Sequence, residues 1–160
     1  MSTQAAQKIL DAYWDRRLPV NVEVIAAKMG MKVVTTGPFD MNPNNRNLSG
    51  YAEIHNGECV VAFNPTEVPY RSRFTIAHEV GHHVLGHTQG GTCCRDSFSP
   101  IPDVKERDAN QFAAELLMPQ EAIDYYVTQL GVSDISQLSS IFNVSRDAMY
   151  YRLKNLGIVS

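Results

Sequence analysis

Arg73-Phe74-Thr75-Ile76-Ala77-His78-Glu79-Val80-Gly81-His82 is the stretch on which the reading of this chain turns. Its apolar residues, continued by Val84 and Leu85, recur at helical spacing and stop before Gln89-Gly90-Gly91, which predicts a helix. Residues four apart on a helix share a face, so His78 and His82 can reach one ion while Glu79 sits about a third of a turn round, beside it. A zinc ion with three protein ligands keeps an open position, lowers the pKa of water there toward about 7 and polarises a carbonyl. Glu79 is then placed to take the proton. Alone, five residues of this pattern also occur by chance on amphipathic helices, so a third ligand and a complementary second helix decide the matter.

The extended pattern HExxHxxGxxH fails, because its glycine and last histidine fall on Leu85 and Thr88, with Gly86 and His87 out of register. A second predicted helix, Asp103 to Met118, offers Glu106, Asp108 and Glu115. Only Glu106 heads a row of small residues, Ala109 and Ala113, and Gly81 supplies a matching gap on the first helix. The order of preference is therefore Glu106, Glu115, Asp108, the competing role of Glu106 being a solvated first-turn carboxylate that favours the helix dipole. Asn110, one turn after Glu106, is placed to brace a ligand.

Outward from this pair, Asn56-Gly57 separates two strand-like runs, Ser49 to His55 and Glu58 to Phe63, and marks a type I′ hairpin and a small antiparallel sheet. Before it, Met31 to Thr36 is strand-like, and Gly37 to Asn47 reads as a long loop. Helices are expected from Thr3 to Arg17 and from Asn21 to Met29. Pro119 ends the second long helix or opens the next one. Beyond it, two short helices about a tight turn, with Ser145 as N-cap, resemble a helix-turn-helix.

Composition narrows the class. The 160 residues are 44% hydrophobic and 19% charged, which suits a folded chain rather than a disordered one. The net charge of -3 provides no global attraction to nucleic acid or anionic lipid. Residues 119 to 160 carry Arg146, Arg152 and Lys154 against Glu121, Asp124, Asp134 and Asp147, so direct DNA binding by this piece is weak and packing or substrate docking is preferred. Tyr150 and Tyr151, with Met149, offer an apolar docking surface, although core packing is the commoner use. Three cysteines, Cys59, Cys93 and Cys94, fit neither a disulfide scaffold nor a CxxC pair. With no signal-like or membrane-length apolar run, a cytoplasmic chain with no membrane contact is expected.

The run Arg73 to His82, followed by Glu106-Arg107-Asp108-Ala109-Asn110-Gln111-Phe112-Ala113-Ala114-Glu115-Leu116-Leu117-Met118-Pro119, resembles the ImmA/IrrE family of zinc metallopeptidases. The likeness covers roughly residues 15 to 120. It implies zinc held by His78, His82 and Glu106, with Glu79 as catalytic base, in agreement with the helix geometry. It also implies a role inside bacteria or on mobile elements, relieving repression by cleaving a helix-turn-helix repressor.

Other residues carry alternatives. His87 lies just off the ligand face and His83 points about 100° away; each can serve an oxyanion or simply be a polar helix edge. Arg73 can bind substrate or form an ion pair. Cys93 and Cys94 can form a thiolate latch over the ion, though ordinary loop cysteines are the simpler reading, and Cys59 reads as a small buried hydrophobe. The expected architecture is α+β, mainly helical, with a metallopeptidase domain over 1–118 and a helical carboxy-terminal unit over 119–160 packed on it. The expected function is zinc-dependent endopeptidase cleavage of a repressor. The alternative is a non-catalytic regulator, or a toxin-antitoxin partner, that binds a repressor or DNA with a structural zinc.

Overall fold

In the computed structural model, which describes residues 2–35, 50–86, 92–93 and 104–159, the first helix, α1, is Ser2–Tyr13. It stops short of the expected Arg17: Asp15 accepts the Arg17 amide at 3.0 Å, and Arg16 takes a left-handed φ of 67°, which a right-handed helix does not accommodate. α2 is Val22–Lys28, and Asn21 caps it by accepting the Val24 amide at 3.1 Å.

β1 (Lys32–Thr35), β2 (Gly50–His55), β3 (Glu58–Phe63) and β4 (Thr92–Cys93) form one sheet in the order β1-β3-β2-β4. β2 and β3 are the expected hairpin, and Asn56 and Gly57 have the positive φ values, 52° and 80°, that a type I′ turn requires. The sheet is mixed rather than antiparallel throughout: β1 runs parallel to β3, Lys32 opposite Val60 and Thr35 opposite Phe63. A parallel pair needs a long crossover, so no short turn signal announces it.

α3, Pro69–Val84, starts on a proline, whose missing N–H lies among those a helix leaves unbonded anyway. It packs on β2 and β3 through Thr75 and Ile76. Gly50 permits that approach, since a Cβ there would fall 2.5 Å from the Ala62 carbonyl oxygen and against the Thr75 methyl. α4, Val104–Leu117, packs along α3 and also against α1. The gap expected at Gly81 exists, but Phe112 fills it: a Cβ on Gly81 would stand 2.9 Å from Phe112 Cδ1. Ala109 and Ala113 are fully buried.

After Pro119, α5 (Gln120–Asp124) runs into a single π-helical turn, Tyr125–Gln129. α6 (Ile135–Phe142) is capped by Asp134, which accepts from Ser136 and Gln137, and α7 (Arg146–Asn155) by Ser145, which accepts the Ala148 amide. Between α6 and α7, Asn143 takes the left-handed conformation with φ 52°. One apolar cluster unites Leu10, Ile76, Phe112 and Leu116 with Phe142, Met149 and Leu153, so the carboxy-terminal helices share the core of α3 and α4. Burial of each such side chain stabilises by about 1.5–3 kcal/mol. Met149 therefore belongs to the core, whereas Tyr151 stands exposed. Among the described residues no helix is long and apolar enough to cross a membrane. The loop expected at 37–47 lies outside the described residues, as does most of the polar connection after Gln89.

Candidate metal centre

His78 and His82 sit one turn apart on the buried stretch of α3, and their rings meet edge to face at 4.6 Å between centroids. Their Nε2 atoms stand 3.0 Å apart. Glu106, in the first turn of α4, closes the triangle: one carboxylate oxygen lies 3.0 Å from His78 Nε2 and the other 2.9 Å from His82 Nε2. The three side chains thus offer ligand atoms within 4.8 Å of one another, and such a set can hold a metal ion. Two imidazoles and a carboxylate form the donor set of an open catalytic metal site, so the residues present fit the group. The hydrogen bond with His78 holds the Glu106 carboxyl below its ordinary value of 4.5, with burial acting in the opposite direction.

Glu79 follows His78 and is fully buried on the same helix. Phe74, one turn before His78, lays its ring along the imidazole, with centroids 6.3 Å apart and planes at 28°. This neighbour is missing from the sequence reading, although the same four-residue spacing that pairs the histidines points to it.

The other carboxylates of α4 act elsewhere. Glu115 is buried and pairs with Arg152 of α7, while Asp108 is only half-buried. Asn110, expected as a brace, is exposed and lines a groove with Phe74; among the described residues it makes no hydrogen bond to His78, His82 or Glu106. Arg73, expected in an ion pair or a substrate site, donates to three carbonyls, at 2.7 Å to Val20, 3.2 Å to Asn143 and 3.3 Å to Phe142. Burial lowers its pKa, opposed by the charge of Glu23. Its guanidinium thereby ties α3 to the turn between α6 and α7. His83 is half-buried, and burial pulls its pKa down. His87 and Cys94 lie outside the described residues, and for Cys93 only its place in β4 is described. Cys59 is buried as expected, its thiol pushed up to about 11 by burial and then by the charge of Glu79.

A model of the peptidase family described as the IrrE N-terminal-like domain matches residues 26–154, a span that takes in every residue of the centre and runs on through most of α7. The chain is also 33% identical over 99 residues to the radiation response metalloprotease IrrE of Deinococcus deserti. That alignment covers 59% of this chain and 35% of the relative, so the chain spans about a third of the relative's length.

Proposed function

The chain belongs to the IrrE N-terminal-like peptidase family, and from that premise we propose that it is a zinc-dependent endopeptidase acting on a protein substrate, a helix-turn-helix transcriptional repressor. The observation that carries the catalytic part is the convergence of His78, His82 and Glu106, with Glu79 buried in the adjacent position on α3. The choice of repressor rests on family likeness.

In this reading His78, His82 and Glu106 hold the ion. A zinc ion held by these three residues would supply Lewis acidity toward a peptide carbonyl and would lower the pKa of a water bound there. Glu79 takes one proton from the attacking water onto a carboxylate oxygen and delivers it to the amide nitrogen as the C–N bond breaks. Phe74, lying along His78, limits the tilt of that imidazole. The tie between Arg73 and the α6–α7 turn holds α3 in place behind it.

The test combines metal content with cleavage. About one zinc per chain is expected, bound more weakly in Glu106→Ala. Glu79→Gln is expected to keep the metal and to slow cleavage of a helix-turn-helix repressor supplied as substrate by about 10²–10⁴-fold. Repressor cleavage unaffected by Glu79→Gln, or a chain that takes up no metal on reconstitution, overturns the reading. Relief of repression that survives Glu79→Gln without cleavage identifies the non-catalytic regulator instead.

A further inference from the structure

Two cavities, of about 350 and 470 Å³, lie on the face made by α3, α4 and α7. Both are lined by Phe74 and Ala148, so they join into one groove. Phe74 links that groove to the metal centre, because the same ring lies along His78. From α4, Arg107 and Asn110 line it, one and four residues after Glu106. The groove therefore borders the metal centre with the Phe74 ring between it and His78, and no metal ligand lines it.

The lining has a definite chemistry. Phe74, Ala148 and the buried Met118 make an apolar floor, and Tyr151 stands 59% exposed at its edge. Asn110 and Asn155 add side-chain amides that can meet peptide N–H and C=O groups. Arg152 also borders the larger cavity, but its charge is answered by Glu115. Arg107, exposed, pairs with no acid among the described residues and is the uncompensated charge of that half. The smaller cavity carries one cation, Arg71, and one acid, Asp147, in its lining. The lining of the smaller cavity thus balances one cation against one acid, whereas Arg107 leaves the larger one with a positive charge in excess.

We propose that this groove is a substrate subsite, taking an extended peptide segment that flanks the scissile bond, with a bulky apolar side chain on Phe74 and Tyr151 and a carboxylate at Arg107. The proposal rests on the endopeptidase reading and adds to it a substrate class: segments in which an apolar residue and an acidic residue stand close together on one side of the cut. Arg107 and Tyr151 are its specificity-determining residues. Both are exposed, so their substitution leaves the core intact.

The experiment uses the zinc-loaded chain and two readouts. In the first, a peptide library made by digesting a proteome is cleaved, and the residues flanking each cut are read by mass spectrometry. Enrichment of Phe, Leu, Ile or Tyr together with Asp or Glu on one side is expected. Arg107→Glu should exchange the acidic preference for Lys or Arg, and Tyr151→Ala should weaken the apolar one, at unchanged metal content. In the second, fluorescein-labelled peptides pairing an aromatic residue with either Glu or Lys are titrated onto Glu79→Gln, and anisotropy is followed. The Glu peptide should bind more tightly, by about tenfold, and lose that advantage when Arg107→Glu is added. Cleavage with the same flanking profile in wild type and Arg107→Glu overturns the subsite and leaves the endopeptidase standing. Charge-dependent binding without any cleavage overturns the endopeptidase and keeps the groove as a peptide site. Neither cleavage nor binding overturns both.

Discussion

Arg152 on α7 pairs with the carboxylate of Glu115 on α4, and its Nε donates to the Met118 carbonyl at 3.1 Å. Both side chains are buried, so each charge has the other in place of water. Removing one member leaves the second stranded, at a cost of about 3–5 kcal/mol, while an apolar replacement of both is far milder. Arg152→Ala is therefore expected to lower Tm by roughly 10 °C, and Arg152→Met with Glu115→Leu to lower it much less. Calorimetry of the two single variants and the double decides this. Single variants as stable as wild type would show that the pair contributes nothing to holding α7 on α4.

Gly81 couples stability to the metal centre. It lies between His78 and His82 on α3, and a Cβ there would press on Phe112 at 2.9 Å from Cδ1. Gly81→Val should destabilise by about 1–3 kcal/mol through overpacking, partly offset by the better helix propensity of a non-glycine residue. Because α3 carries two ligands and α4 the third, pushing the helices apart should also weaken zinc binding by about tenfold or more. Adding Phe112→Leu makes room and should restore part of both losses. A zinc titration and a urea melt on the cycle of variants test this, and independent effects of the two substitutions would refute the coupling.

Much of the centre is legible in the sequence because its ligands obey a local rule. A four-residue spacing on one helix presents His78 and His82 together, and the run of small residues behind Glu106 singles it out from Glu115 and Asp108. The hairpin is legible for the same reason, Asn56-Gly57 being a local turn signal. What escapes the reading is set by contacts distant in sequence. Arg73 and Arg152 carry nothing in their local sequence that names their partners, which lie 69 residues away at Phe142 and 37 at Glu115. Likewise, nothing local shows that Phe112 rather than an alanine fills the space at Gly81, or that β1 pairs in parallel with β3.

Glu106 gives the metal-free protein a defined acid response. Its carboxyl is held below 4.5 by the hydrogen bond with His78, so its charged form is favoured by folding. For a depressed carboxyl the stabilisation is fully present above the unfolded value and is lost as pH falls through the folded one. In the apo protein, the difference in urea midpoint between wild type and Glu106→Gln should shrink as pH falls below about 4. A difference that instead grows as the pH drops below 4 contradicts the assigned sign.

Cys59 supplies the opposite case. Burial, assisted by the negative charge of Glu79, pushes its thiol from 9.0 to about 11, so folding favours the protonated form. That contribution is complete below the unfolded value and disappears as pH rises through about 11. Since the thiolate is the reactive species, Cys59 should be almost inert to a disulfide reagent at pH 8 in the native chain and fully reactive in denaturant. Cys93→Ser with Cys94→Ser removes the other two thiols, so the labelling reports on Cys59 alone. Adding Glu79→Gln to that background removes the nearby charge but leaves the burial, and should raise the native labelling rate only modestly. A large increase would mean that the Glu79 charge, rather than burial in the sheet, keeps this thiol protonated.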